Sequence, residues 1–293
     1  MLDPKTGLLL CLAVVAVGFS AYWLRRLRQA KRSGSIAPTP YQLLVGFVTD
    51  FFDTLGIGSF AVTTSFYRAR HTIPDEHIPG TLNVGHTLPT VVQAFLFTTA
   101  IDVDATTLIV MIAAAVAGAL LGAPVVAGMP RRQIQLGLGC ALLILCAVLV
   151  YRQFGVAEVG ANGLSGGMLV AGAVGNFVLG ALMTIGVGLY APCLVLVSLL
   201  GMNPSTGFPI MMGSCAFLMP LASVPFIRRG SYDARAALGL TLAGVPAVFA
   251  AAYLVTSLDL YWVKWLVAVV IVYTAVSLLR SARQEGRSTP SPS

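Results

Sequence analysis

The chain has 293 residues, of which 57% are hydrophobic and 10% charged, with a formal net charge of +7 and a mean hydropathy of +0.86. That balance excludes a soluble globular domain and places the chain in the membrane as a multi-pass protein. It also excludes nucleic acid as the partner, because the cations sit in short segments between apolar blocks, which is the bias of cytoplasmic loops.

The apolar blocks are about 18–25 residues long, enough to cross roughly 30 Å of hydrocarbon. Lipid leaves no solvent for unpaired backbone groups, and the alternation of a barrel strand is absent, so the blocks are predicted helices. The fold class read from this is an all-α integral membrane protein: two inverted repeats with broken or re-entrant helices, plus one extra N-terminal transmembrane helix. Residues 1–32 form that first helix. Its apolar stretch, Leu8 to Ser20, precedes Arg25, Arg26, Arg28, Lys31 and Arg32, the order of a retained helix with a cytoplasmic end and not of a cleaved signal. A Ser/Pro linker follows at 33–40. The first half runs over 41–152 and the second over 163–280, and residues 281–293 read as a disordered cytoplasmic tail.

The two halves show a weak internal match. A shift of 128 residues places Ile57-Gly58 on Ile185-Gly186 and Gly85 on Gly213. If the glycine-containing block of each half dips in and returns on one side, fifteen of the 18 Lys and Arg lie on one face, leaving Lys5, Arg152 and Lys264 on the other. If every block crosses fully, the split falls to 12 against 6. The inverted arrangement, with a cytoplasmic C-terminus, is therefore preferred, in a bacterial inner (plasma) membrane.

The chemistry concentrates in the first half. Thr49, Asp50, Asp53 and Thr54 share one helical face just before Gly56-Ile57-Gly58. Ionisable groups at membrane depth mark function. A half-helix starting at Ser59 would aim free N–H groups and a positive dipole end inward, and Thr63 and Thr64 would add hydroxyls. Glycines alone at this place would equally suit close helix packing. The next block carries Asn83, His86, Thr90 and Gln93 on one face; His86 suits proton coupling, or else an ordinary interhelical hydrogen bond. The second half offers Gly186, Gly188 and Tyr190-Ala191-Pro192-Cys193, then FPIMMGSCAFLMP, in which Ser214 stands where His86 stands in the first half. Cys193 and Cys215 suit core packing; with Met211 and Met212 they could also form a soft-metal site. No metal-ligand spacing and no phosphate-binding loop occurs, so no metal, no cofactor and no ATP drive is implied.

DTLGIGSF, GTLNVGHTLP, GLYAPC and FPIMMGSCAF, in that order, resemble the TauE/SafE family of membrane permeases over residues 41–280. The resemblance implies two related halves and transport of small anions, sulfite and organosulfonates above all. It carries a broken-helix role to Gly56, Gly58, Gly186 and Gly188. The family's longer glycine run is shortened here to Gly56-Ile57-Gly58, and Asp50 and Asp53 lie outside its common pattern. The expectation is thus a non-enzymatic permease in the lipid bilayer. Gly56, Gly58, Ser59, Thr63, Thr64, Asn83, Gly186, Gly188, Tyr190, Cys193, Ser214 and Cys215 would bind a small-molecule anion. Asp50, Asp53 and His86 would carry protons, and homo-oligomers are compatible with this reading. The alternatives are a transporter of another anion or a soft metal, a thiol enzyme using Cys193 or Cys215 with His86, and an assembly factor.

Overall fold

A computed structural model describes residues 3–33, 35–127, 130–153, 160–184 and 188–288. Among the described residues the chain is α-helical: α1 (Pro4–Ser33), α2 (Pro40–Thr54), α3 (Ser59–Ala69), α4 (Ile78–Ala100), α5 (Ala105–Ala127), α6 (Arg131–Gln153), α7 (Gly166–Met183), α8 (Tyr190–Leu199), α9 (Gly207–Arg229), α10 (Ala234–Thr256) and α11 (Leu260–Ser288). Short 3-10 turns at Asp75–His77 and Pro204–Thr206 lead into α4 and α9. After α1, each half therefore presents a pair of helices (α2 and α3, or the longer α7 and α8), a 3-10 turn and three long helices.

Among the described residues, six helices (α1, α5, α7, α9, α10 and α11) are long and apolar enough to cross a membrane. The 23-residue α4 matches α5 in length, about 34 Å at 1.5 Å per residue, but its stripe of Asn83, His86, Thr90 and Gln93 lowers its hydropathy. The exterior is rich in apolar side chains, and a set of polar groups is buried within the apolar core. Val14, Val17, Leu121, Val170 and Val174 are exposed, while Asp50, Asp53, His86, Gln93, Asn176 and Ser214 are buried.

The broken helices are hairpins. α2 begins with a capping box: the Thr39 hydroxyl accepts from Gln42 N, and the Gln42 side chain accepts from Thr39 N, with Pro40 opening the first turn. The chain then turns back at Gly56 (φ +98°) and Gly58 (φ +88°), conformations that side chains with a Cβ rarely adopt. At the open end, Tyr41 donates its hydroxyl to Phe66 O at 2.7 Å, and the Arg70 guanidinium lies 4.5 Å over the Tyr41 ring. α2 and α3 therefore enter and leave at one face. The second hairpin closes likewise: Ala161 N donates to Gly201 O at 3.0 Å, and Asn203 N donates to Ala161 O at 2.9 Å. This joins the chain before α7 to the chain after α8. The predicted break at Gly186 lies outside the described residues.

Packing repeats between the halves. α2 runs parallel to α10, with Gly46 against Leu240 and Gly239 against Gln42; α7 runs parallel to α5, with Gly180 against Ala115 and Gly122 against Ala181. The α4–α9 pair is antiparallel, bringing Thr87 to Ser223 and stacking Phe97 on Phe208 at 5.2 Å. So is the α6–α11 pair, through Gly139 on Leu279 and Cys146 on Ala268. Equivalent helices run in opposite directions, which is consistent with inverted repeats. One face carries the ends of α1, α3 and α9 and the starts of α2, α4 and α10, where Arg235 Nε donates to Ala37 O at 3.0 Å. The opposite face carries the Lys5–Asp102 ion pair at 3.4 Å and the Asn162–Asp102 hydrogen bond at 3.0 Å. One boundary differs from the sequence reading. α11 continues past residue 280 to Ser288, because Ser281-Ala282-Arg283-Gln284 holds helical order and Ala282 is buried; residues 289–293 lie outside the described residues.

Candidate functional site

The polar interior centres on the first hairpin. Asp50 and Asp53, three residues apart on α2, face α4, and the turn at Gly56 and Gly58 brings the first turn of α3 back beside them. Asp50 Oδ1 meets His86 Nδ1 at 2.8 Å, with both side chains fully buried. His86 Nε2 lies 3.0 Å from Thr63 Oγ1, and that hydroxyl also lies 2.8 Å from the Ser59 carbonyl. This chain has two proton arrangements. If Thr63 donates to Ser59 O, it must accept from His86 Nε2–H, and one further proton is then shared between His86 Nδ1 and Asp50. If Thr63 instead donates to Nε2, His86 is neutral and its Nδ1–H serves an ionised Asp50. The two arrangements differ by one proton and one hydroxyl rotation. The second oxygen of Asp50 has no hydrogen-bond partner among the described residues; it packs against Gly244 of α10, where a Cβ would overlap it.

Asp53 is held differently. Its Oδ1 accepts from Ser59 N, the first N–H of α3, at 2.6 Å. Its Oδ2 accepts from Gln93 Nε2 at 2.9 Å and from the Tyr190 hydroxyl at 3.4 Å. The one Tyr190 proton is shared with the nearer Gln93 Oε1 at 3.1 Å, and Gln93 Nε2 reaches Thr54 Oγ1 at 2.9 Å. The carboxylate thus occupies the inward N-terminus of α3, where the helix dipole favours negative charge. Through Tyr190, the first residue of α8, it is tied to the second half.

Of the sequence-predicted residues, Asp50, Asp53, Ser59, Thr63, His86 and Tyr190 come together in this network, beside Gly56 and Gly58. Asn83 stays on its own helix, donating to Pro79 O at 2.9 Å, and Thr64 donates to Phe60 O at 2.7 Å. Ser214 accepts from Asn176 Nδ2 at 3.2 Å. Cys193 is buried in the main apolar core, Cys215 Sγ lies 3.6 Å from Met183 Sδ, and Gly188 is exposed. No group of three or more His, Cys, Asp or Glu side chains among the described residues is placed to hold a metal ion. Gln93 and Gly244 joined the site only in three dimensions. Gln93 already stood in the polar stripe of α4, but its partners come from α2 and α8. Gly244 offers no side chain to read.

The profile of the family described as sulfite exporter TauE/SafE matches residues 1–149, just over half of the chain. The chain belongs to the TauE/SafE family. It is therefore a multi-pass membrane protein of a transporter family, and the first hairpin with its acids lies within the matched residues. No curated protein and no solved structure matches the chain significantly.

Proposed function

We propose that this TauE/SafE protein is a secondary transporter of a small anion of the sulfite or organosulfonate class, linked to protons through Asp50, Asp53 and His86. The family supports the transport class and the anion class. The observation that carries the proton linkage is the fully buried Asp50–His86–Thr63 chain, which ends on the first turn of α3. An ionised carboxylate repels an anion at close range, and the repulsion is strong in a poorly solvated interior. Adding a proton to the pair removes it, so anion binding and proton binding favour each other. Substrate sits near the midplane between the two hairpin tips. Ser59 N–H and, in the first turn of α8, the N–H groups of Tyr190 and Ala191 supply backbone donors, since Pro192 has none and Cys193 N donates to Leu189 O; Thr63 and Tyr190 supply hydroxyls. Since Asp53 already holds the Ser59 amide, an incoming anion takes that position only as the carboxylate leaves. The basic face is cytoplasmic by the positive-inside bias, in a bacterial inner membrane.

Sulfite uptake into proteoliposomes, with and without an imposed pH gradient, tests this. The gradient should raise uptake by the wild type several-fold. Sulfite-independent behaviour at every pH would reject the reading.

A further inference from the structure

We infer that Gln93 is a positioning residue that relays the proton state of Asp53 to Tyr190, and so from the first hairpin to the second. Its use in transport rests on the proton-linked reading above; the hydrogen-bond polarity does not. Thr54 donates its hydroxyl to Asp50 O at 2.7 Å, so toward Gln93 it is an acceptor. An ionised Asp53 is an acceptor too. Two acceptors facing one end of the amide fix that end as NH2, which leaves Oε1 to accept from Tyr190. Around Asp53, Ser59 N–H and Gln93 N–H are donors, and the single Tyr190 proton is directed to Gln93 Oε1, nearer at 3.1 Å than Asp53 Oδ2 at 3.4 Å. This cage suits a carboxylate: the one acceptor it offers a carboxylic O–H is the Tyr190 oxygen, at 3.4 Å, beyond the ordinary length of an O–H···O bond.

A proton arriving on Asp53 therefore finds no well-placed acceptor in the cage as it stands. The primary amide of Gln93 can turn round in place and restore pairing. Reversed, its oxygen accepts from the Asp53 O–H and its NH2 donates to the Tyr190 oxygen. Tyr190 then gives up donating to Gln93, and Thr90, which faces the same hydroxyl, is the neighbour that can receive it. Thr54 turns its hydroxyl from the Asp50 carbonyl to the amide oxygen. One proton is gained and no covalent bond changes otherwise. The titratable groups facing Asp53 are Asp50 on α2, His86 on α4, Tyr190 on α8 and Cys215 on α9.

Substrate-free infrared difference spectra across a pH titration, on the full chain with isotope-labelled glutamine, test the relay. Asp53→Asn identifies the Asp53 acid band, and Asp50→Asn removes the contribution of the neighbouring pair. The expected result is an Asp53 acid band that grows together with shifts of a glutamine carbonyl band and a tyrosine ring band. Tyr190→Phe should abolish the tyrosine shift. Gln93→Leu should abolish it too, while leaving the acid band. If Gln93→Leu does not fold, the labelled wild type and Tyr190→Phe decide the matter. A tyrosine shift that survives in Gln93→Leu, an acid band without glutamine and tyrosine shifts, or an Asp53 that takes no proton would overturn the relay. Intact band coupling in a protein that fails to move sulfite would reject the substrate and keep the relay.

Discussion

Asp50 is the eleventh residue of α2, and Asn176 is the eleventh residue of α7. Each reaches across to the long helix that follows its own hairpin: Asp50 to His86 on α4 at 2.8 Å, Asn176 to Ser214 on α9 at 3.2 Å. Asn176 also donates to Met111 O at 2.7 Å, while the free oxygen of Asp50 presses on Gly244. The scaffold thus builds the same buried polar contact twice, and only the first can gain or lose a proton. The second is an amide and a hydroxyl, which hold two helices together without carrying charge. Architecture and coupling are separable here: symmetry sets where the pair sits, and the residue types decide whether it titrates.

The contrast can be broken first at Asp50. Asp50→Ala leaves the buried His86 without its partner, and removing one member of a buried ion pair costs about 3–5 kcal/mol. Thermal unfolding in detergent should show that loss, whereas Asp50→Asn should keep most of the stability. Gly244→Ala should cost about 1–3 kcal/mol by overpacking against Asp50. In an Asp50→Ala background the same change should cost much less, and simple additivity would refute the contact. Asn176→Ala removes the two hydrogen bonds it donates, to the Met111 carbonyl and to Ser214, and should cost about 1–3 kcal/mol in the same assay. The smallest effect belongs to the open end of the first hairpin. Tyr41→Phe removes one hydrogen bond, worth about 0.5–1.5 kcal/mol, and hydrogen exchange should rise near Phe66 and not at the hairpin tip.

Much of this was legible in the chain itself. Runs of apolar residues showed that the chain is built of long helices, since 20-residue apolar segments have no other stable form in lipid. Asp50, Asp53 and His86 stood out because ionisable groups are costly there. Return of the first hairpin was legible only as a charge preference; the Tyr41–Phe66 contact gives it directly, by joining residues 25 apart. That Asp53 fills the Ser59 amide was not legible, because a free N–H and an N–H bonded six residues back have the same sequence. The partnership of Gln93 with Asp53 and Tyr190 spans up to 97 residues, and periodicity reports only one helix at a time. Asn83 shares a face with His86, yet it lies in the first turns of α4, where the Pro79 carbonyl is nearer than the network.

The most direct test of an asymmetric coupling compares the pH dependence of anion flux in Asp50→Asn and Asn176→Ala proteoliposomes, each at matched protein content. The account predicts a flattened profile in Asp50→Asn and, in Asn176→Ala, a profile of wild-type shape whatever its height. Equal flattening in both variants, or an unchanged profile in Asp50→Asn, would contradict it.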